Sequence, residues 1–329
     1  MGVTSRERMP AAMLSPSDAA IERRVPSIRR TSNIDTRRVD GQVLLTGAVR
    51  DLVTTSAGAD VTGSASVDAV IDAAGRLSSI ETTPVRSTGG LVGRTIGPGF
   101  RDAVRDAVPD EVATGTPLAL LLDDLPVAAL ISGYALLYSG ESPVAPAGGG
   151  SLKADICSGW RSDGTMMVAI ARGRGVPLSI GPSAPVIADE EAREPRAWHP
   201  MAPLPASSMR RRRLLDVHPT DDGWQITAMF RDTHSDGDAV ETVLHEYVLT
   251  AIADPTTGVL TTCAAVPRVL PWVECPVAAA SADRLVGRDV GSVRSIVRSE
   301  LRGTSTCTHL NDLLRSLGDV PVLADALTR

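Results

Sequence analysis

Four short blocks recur, in the same order, in the two halves of this 329-residue chain. One of them contains Arg-Asp near its end, so that Arg50-Asp51 in the first half matches Arg231-Asp232 in the second. The paired blocks are 37–54 and 220–235, 70–85 and 252–267, 91–108 and 285–301, and 124–127 and 319–322. Ordered repetition constrains the fold more than any single motif does, because each copy has to build a similar unit. The sequence therefore predicts a tandem duplicated domain.

Each copy shows alternating segments followed by helical periodicity. The alternating, β-branched segments predict strands at 42–50, 66–73, 77–82, 223–231, 242–252 and 258–265. The helical spacing is carried by Phe100, Val104 and Val108, by Val293, Val297 and Leu301, and by Leu310, Leu313, Leu314 and Leu317. Strands followed by helices predict an α+β fold, in which each copy is an antiparallel sheet with two or three helices on one side.

Composition divides the chain into four segments. Residues 1–26 lack a continuous apolar stretch and predict a disordered tail, and residues 27–175 form the first, degenerate repeat domain. A proline-rich segment at 176–208 predicts a linker. Residues 209–329 then form a C-terminal domain that we expect to fold alone.

Charge and hydropathy exclude some partners. The net charge of −6 argues against nucleic acid, and the basic run Arg210–Arg213 is interpreted as a solvated strand entrance. The longest apolar run, 126–140, is too short to span a membrane and predicts a buried strand. We therefore expect a cytoplasmic protein whose partner is a small molecule or another protein.

The second copy holds reactive side chains that the first copy lacks. It carries an insertion, RVLPWVECPVA, that contains Cys275. At the other positions the first copy has unreactive residues: Ile80 opposite Cys263, Val112 opposite Cys307, Thr114 opposite His309 and Ser64 near His245. This joint difference favours one site in the C-terminal copy and a structural role for the N-terminal copy. Cys263 and Cys157 are interpreted as structural.

Cys307 and His309 are the candidate catalytic pair. Cys307 precedes a predicted helix, whose unpaired N–H groups and dipole lower the pKa of a thiol, and Thr308 is a suitable N-cap. His309 could act as the base of a nucleophilic cysteine. In the alternative interpretation the chain is a binding or scaffolding module, and the cysteines are core packing.

A metal site is the other chemical option. His245, Cys275, Cys307 and His309 supply two imidazoles and two thiols, the donors of tetrahedral zinc and of some iron sites. Asp232 and Glu246 are candidate acceptors for the imidazole N–H groups. None of these spacings is that of a zinc finger, so the fold would have to bring the donors together.

Several of these segments resemble a bacterial family, domain of unknown function 2889. The resemblance covers about 209–317 and is carried by DDGWQITAMFRDT, LHEYVLTAIAD, PWVECP, RLVGR and RGTSTCTHLNDLL. It implies that His245, Glu246 and Cys275 occupy positions typical of the family, but it implies no established activity. The family's acidic residue before the aromatic segment is absent, since Pro267 and Arg268 stand there. A fainter likeness in layout, in CPVAAASADRLVGR and CTHLNDLL, is to NifU-type iron–sulfur scaffold proteins.

Overall fold

The computed structural model describes residues 15–17, 22–140 and 153–328. Its strands are β1 (Ser27–Val39), β2 (Gln42–Thr55), β3 (Gly58–Ile71), β4 (Leu77–Thr83), β5 (Ser208–Thr220), β6 (Gly223–Ser235), β7 (Glu241–Ala253) and β8 (Leu260–Val269). Its helices are α1 (Phe100–Ala107), α2 (Pro109–Ala113), α3 (Pro117–Ile131), α4 (Gly133–Ser139), α5 (Thr165–Ala171), α6 (Ile187–Arg193), α7 (Val293–Glu300), α8 (Thr308–Ser316) and α9 (Val320–Leu327). The predicted tail falls largely on residues 1–14 and 18–21, outside the described residues.

The described strands form one eight-stranded antiparallel sheet in the order β4-β3-β2-β1-β5-β6-β7-β8. Each half contributes a four-stranded meander, and β1 pairs with β5 at the centre, from Ile28 opposite Val217 to Arg37 opposite Ser208. The turn between β1 and β2 is Asp40-Gly41, with φ of 50° and 78°, as a two-residue hairpin turn of this hand requires. The α+β class is confirmed, whereas the duplication itself remains a prediction.

One face of the sheet, the helix face, is covered by helices from both halves. Two apolar clusters lie there, one under each meander, and Leu121 and Leu313 are among their fully buried members. Between the clusters lie ion pairs that cross from one half to the other. Arg213 of β5 pairs with Asp124 of α3, and Arg30 Nη1 of β1 lies 3.2 Å from Asp319 Oδ2.

The opposite face, here called the linker face, is covered by the segment predicted as a linker. Residues 176–208 contain α6, whose Glu190 is fully buried, and Trp198 packs there at 1% exposure. Arg212 lies over the Trp198 ring, with its Cζ 4.8 Å from the centroid. This segment is therefore part of the fold, because it supplies the acidic and aromatic partners of sheet residues.

The interpretation of Arg210–Arg213 as a solvated entrance is wrong. All four residues are buried within β5, alternately on the two faces. Each has an acidic partner: Asp35 for Arg210, Asp232 for Arg211, Glu190 for Arg212 and Asp124 for Arg213. A buried charge requires such a partner, and here the partners come from distant parts of the chain.

The apolar run at 126–140 is helical, so its prediction as a strand is also wrong. It lies in α3 and α4, which form the stretch Pro117–Ser139 of 23 residues with a mean hydropathy of 1.6. Among the described residues this is the one helix long and apolar enough to cross a membrane. A core helix meets the same criterion, and the buried Asp124 pairs with Arg213 in the middle of α3.

Candidate functional site

The site begins with two residues on neighbouring strands. Asp232 of β6 and His245 of β7 are opposite one another in the ladder, and both side chains lie on the helix face. The next pair is Thr233 with Val243, so Leu244 is an extra residue that forms a β-bulge. A bulge bends its strand and changes the direction of the adjacent side chains, and bulges are frequent next to functional sites.

The third residue, His309, comes from α8. Its ring stacks on that of His245, with centroids 3.9 Å apart and planes inclined by 19°. Leu310 and Leu313 in the same helix are fully buried, which holds α8 against the sheet. Both imidazole side chains keep 17% of their surface exposed, so solvent reaches the cluster.

The donor atoms of the three side chains converge. His245 Nδ1 is 3.3 Å and His309 Nε2 is 4.0 Å from Asp232 Oδ2. One donor atom from each residue lies within 4.8 Å of the other two. Ligands about 2.1 Å from a tetrahedral ion are about 3.4 Å apart, so the cluster is slightly wider than an occupied centre. No other group of His, Cys, Asp and Glu within the described ranges has this spacing.

Two donor atoms of the cluster lack hydrogen bonds. Asp232 Oδ1 and His245 Nδ1 are buried without a hydrogen-bond partner among the described residues. His245 Nδ1 is near Asp232 Oδ2 in distance, but the two atoms are not aligned as a hydrogen bond. Buried polar atoms are rarely left unpaired, and such exceptions are typical of sites that bind a ligand, an ion or water.

Arg211 controls the charge of Asp232. Burial would raise the pKa of this carboxyl group, but Arg211 Nη1, at 3.2 Å, and the two imidazoles bring the pKa below its usual value. The guanidinium of Arg211 is held in turn over the Phe230 ring, 4.7 Å from the centroid. Asp232 is therefore ionised at neutral pH, as a ligand or a base has to be.

His309 is neutral at neutral pH. Burial lowers its pKa well below the ordinary value of an imidazole, and His245, Arg211 and Arg213 lower it further against the opposing effect of Asp232. A neutral imidazole has a free lone pair on one ring nitrogen. His309 is therefore available as a metal ligand or a hydrogen-bond acceptor rather than as a cation.

Three cysteines lie together beside the start of α8, but they are not part of the histidine cluster. Ser158 N–H donates to the Thr306 carbonyl at 2.8 Å, which places Cys157 next to Cys307. A Cβ on Gly159 would come within 2.7 Å of Cys275 Sγ, so only glycine fits against this thiol. Cys157 therefore reaches from the first half of the chain into the second.

The expected thiolate at Cys307 is not supported. Burial raises the pKa of Cys307 to about 11, and the N–H groups of Leu310 and His309 offset this only in part. Burial also raises the pKa of Cys275 well above its ordinary value. The N-cap position is occupied by Cys307 rather than Thr308, and no side chain caps the helix. Desolvation thus outweighs the effect of the helix dipole.

The remaining candidates lie elsewhere. Glu246 is adjacent to His245 in β7, and adjacent strand residues point to opposite faces. Its carboxylate accepts from Arg231 Nε at 2.6 Å on the linker face, so it does not contact the imidazoles. Cys263 is buried in β8, as expected, at 3% exposure.

From the sequence, Asp232 was expected only as an acceptor for the imidazole N–H groups, and Arg211 was not among the candidate site residues. In the structure, Asp232 Oδ2 lies 3.3 Å from His245 Nδ1 and 4.0 Å from His309 Nε2, so Asp232 belongs to the cluster itself. The repeated Arg-Asp pair was the available signal, because it marks a strand position shared by both halves.

Fold and cluster together define an α+β protein with an eight-stranded antiparallel sheet and an Asp-His-His cluster on its helix face. Residues 209–323 match the family model described as protein of unknown function (DUF2889). Comparison with curated proteins found no match, and comparison with solved structures found none either. The layout likeness to NifU-type proteins has no support from these comparisons.

Proposed function

We propose that the C-terminal half binds one divalent zinc- or iron-class ion through Asp232, His245 and His309, and that this centre acts on a small molecule. The observation that carries the proposal is the convergence of three donor atoms within 4.8 Å. His245 Nδ1, which is buried without a hydrogen bond among the described residues, strengthens it.

The donor set suits this class of ion. Two imidazoles and one carboxylate are the protein ligands of many catalytic zinc sites and of the ferrous facial triad. Three protein ligands would leave coordination positions open for water or substrate, and both imidazoles keep 17% of their surface exposed. A bound ion of this class polarises a substrate oxygen or lowers the pKa of bound water.

The residues around the cluster have definable tasks. Arg211 fixes the Asp232 carboxylate and keeps it ionised, while burial keeps His309 neutral. Both conditions favour metal binding, since ligands have to be deprotonated. Arg211 also competes with a cation for the same carboxylate, so we expect moderate rather than extreme affinity.

The proposal is tested with untagged full-length protein that has been stripped with chelator. Zn²⁺ and Co²⁺ are titrated by calorimetry and, for Co²⁺, by visible absorption, and Fe²⁺ is titrated under anaerobic conditions. We expect one equivalent to bind, and His245→Gln or His309→Gln to weaken binding at least about tenfold, since even the loss of a ligand's outer partner costs that much.

The matched control is His218→Gln, which removes an imidazole at the far end of β5. It should leave metal affinity unchanged, and circular dichroism should show that all variants are folded. Absence of binding for all three ions would refute the proposal, and so would an equal loss in the His218 variant.

A second candidate is a non-catalytic binding or scaffolding module. It is favoured by the burial of Cys157, Cys275 and Cys307, whose raised pKa values are typical of packed rather than reactive thiols. Absence of metal binding in the experiment above would leave this candidate standing.

A further inference from the structure

A second group of charged residues lies on the linker face, away from the histidine cluster. Arg50 of β2 is 7% exposed, and its Nη2 donates to the carbonyl of Arg196 at 2.7 Å. Its Nε is buried and has no hydrogen-bond partner among the described residues. No carboxylate in the described part of the chain forms an ion pair with Arg50. This is unusual, since buried charges are nearly always paired.

The neighbours of Arg50 add positive charge instead of neutralising it. Arg23 pairs with Glu194 at 2.7 Å and Arg29 pairs with Asp216 at 2.6 Å, so each of these cations is balanced. Arg196 donates to the Ala59 carbonyl and has no acidic partner among the described residues.

The group thus carries two positive charges, those of Arg50 and Arg196, that no carboxylate within residues 15–17, 22–140 and 153–328 pairs with. Burial and the repulsion of Arg196, Arg23 and Arg29 lower the pKa of Arg50 to about 10. Glu191, which is exposed, opposes this only weakly.

We propose that Arg50 and Arg196, with Arg23 beside them, form a binding site for a phosphate group. The two unbalanced charges match a phosphate dianion, and the guanidinium fork matches its oxygens. Arg196 is exposed and Arg23 is partly exposed, so the anion enters from their side. The site is independent of the proposed metal centre, because Arg50 and Asp232 lie on opposite faces of the sheet.

The pairing in this region shows why an anion is needed. Buried and without a carboxylate partner in the described ranges, Arg50 carries a charge that destabilises the folded chain, and a bound anion would remove that cost. An arginine with a purely structural role would instead have its charge balanced by the protein, as Arg23 and Arg29 have.

The test compares Arg50→Met with Arg76→Met, which removes an exposed arginine from the turn before β4. Inorganic phosphate is titrated by calorimetry at constant ionic strength, with chloride as the reference anion. We expect binding to the unmodified protein and to the Arg76 variant. Binding to the Arg50 variant should be at least about tenfold weaker, since charge-assisted hydrogen bonds are lost.

A second measurement covers the case in which Arg50→Met alters folding. Without phosphate, thermal unfolding of this variant should occur at the same or a higher temperature than that of the unmodified protein, because an unpaired buried charge has been removed. A clear fall in melting temperature, or phosphate affinity equal to that of the Arg76 variant, would overturn the proposal. So would the absence of phosphate binding to the unmodified protein.

A third titration, with glycerol phosphate, separates two sources of the same group. Tighter binding than inorganic phosphate would identify a phosphorylated small molecule as the ligand, whereas weaker binding would identify the free ion. In either case the phosphate site stands.

Discussion

The two Arg-Asp pairs stand at matching positions on β2 and β6, but their surroundings differ on both faces of the sheet. On the helix face, Asp51 accepts two hydrogen bonds of 2.7 Å from Arg30. Asp232 has the corresponding arginine, Arg211, and both imidazoles of the cluster as well. At the same strand position, the aspartate of the first half forms an ion pair with one arginine, whereas the aspartate of the second half also lies within reach of two imidazoles.

The residues opposite the two aspartates explain this difference. The position facing Asp232 on β7 is His245, whereas the position facing Asp51 on β3 is Gly63. A Cβ on Gly63 would lie 3.4 Å from Asp51 Oδ2 and 3.1 Å from Cγ of Pro117, the first residue of α3. In the first half, Gly63 and Pro117 therefore pack beside Asp51 and occupy the space that the two imidazoles occupy in the second half. A similar backbone thus supports a cluster of polar side chains in one half and close packing in the other.

On the linker face the contrast is reversed. Arg231 is balanced by Glu190 at 3.0 Å and by Glu246 at 2.6 Å, whereas its counterpart Arg50 faces Ser64 and has no acidic partner in the part of the chain that the structure describes. The second half therefore neutralises Arg231 with its own carboxylates, whereas Arg50 of the first half is available to the proposed anion. Each half thus contributes one proposed binding site, and the two sites lie on opposite faces of the sheet.

The largest effect is expected from separating the halves. Residues 209–329 were expected to fold alone, but the structure pairs β5 with β1 and gives Arg213 its partner, Asp124, from the first half. Expressed alone, this fragment would expose the edge of β5 and leave buried arginines unpaired. We expect it to lack a cooperative unfolding transition in circular dichroism. A sharp transition with native-like stability would show that each half is self-sufficient.

Glu190→Ala should produce the next largest effect. It removes the shared partner of Arg212 and Arg231, so that Arg212 loses its acidic partner while Arg231 keeps Glu246. Removing one member of a buried ion pair costs about 3–5 kcal/mol in the free energy of unfolding, measured by urea denaturation. Glu191→Ala, at the exposed neighbouring position, is the control and should change stability by less than about 0.5 kcal/mol. If both variants lowered the free energy of unfolding by the same amount, the ion pairs of Glu190 would make no contribution of their own and α6 would be held by packing alone.

Ser64→Glu should have a smaller effect of the opposite sign. It places a carboxylate opposite Arg50, as Glu246 stands opposite Arg231. Opposite charges at facing positions of antiparallel strands contribute about 0.2–1 kcal/mol, so the free energy of unfolding should rise by that amount. The same change should weaken phosphate binding. Ser66→Glu on the same strand is a control for added charge, and unaltered phosphate binding in the Ser64 variant would separate Arg50 from the anion site.

Much of the fold was predictable from local pattern. The outer strands of each meander alternate between buried and exposed residues, and α8 begins within one residue of the predicted start at His309. The central strands β1 and β5 were missed because both of their faces are buried and their side chains are largely polar. A run of arginines in such a strand has the same sequence pattern as a solvent-exposed segment, and only the positions of its acidic partners distinguish the two.

The candidate site, like the fold, was predictable from the sequence only in part. Residue type and the unequal halves pointed to a set of four residues, His245, Cys275, Cys307 and His309, and the structure brings the two imidazole rings of this set to 3.9 Å. The thiols of the set lie apart from the histidine cluster, and burial keeps Cys307 protonated. A helix start lowers the pKa of a thiol and burial raises it, so the outcome depends on exposure, which is set by what the rest of the chain packs against that residue.

By itself, the sequence determined the α+β class, the match between the halves and the histidines of the second half. These features follow from periodicity and residue type, which act over a few neighbouring residues. Only the tertiary structure decided that Asp232 joins the histidines, that Glu246 does not, and that Arg50 has no carboxylate partner among the described residues. Those outcomes depend on strand register and on ion pairs between residues far apart in the chain, because a side chain's face and its partner are set when the strands pair.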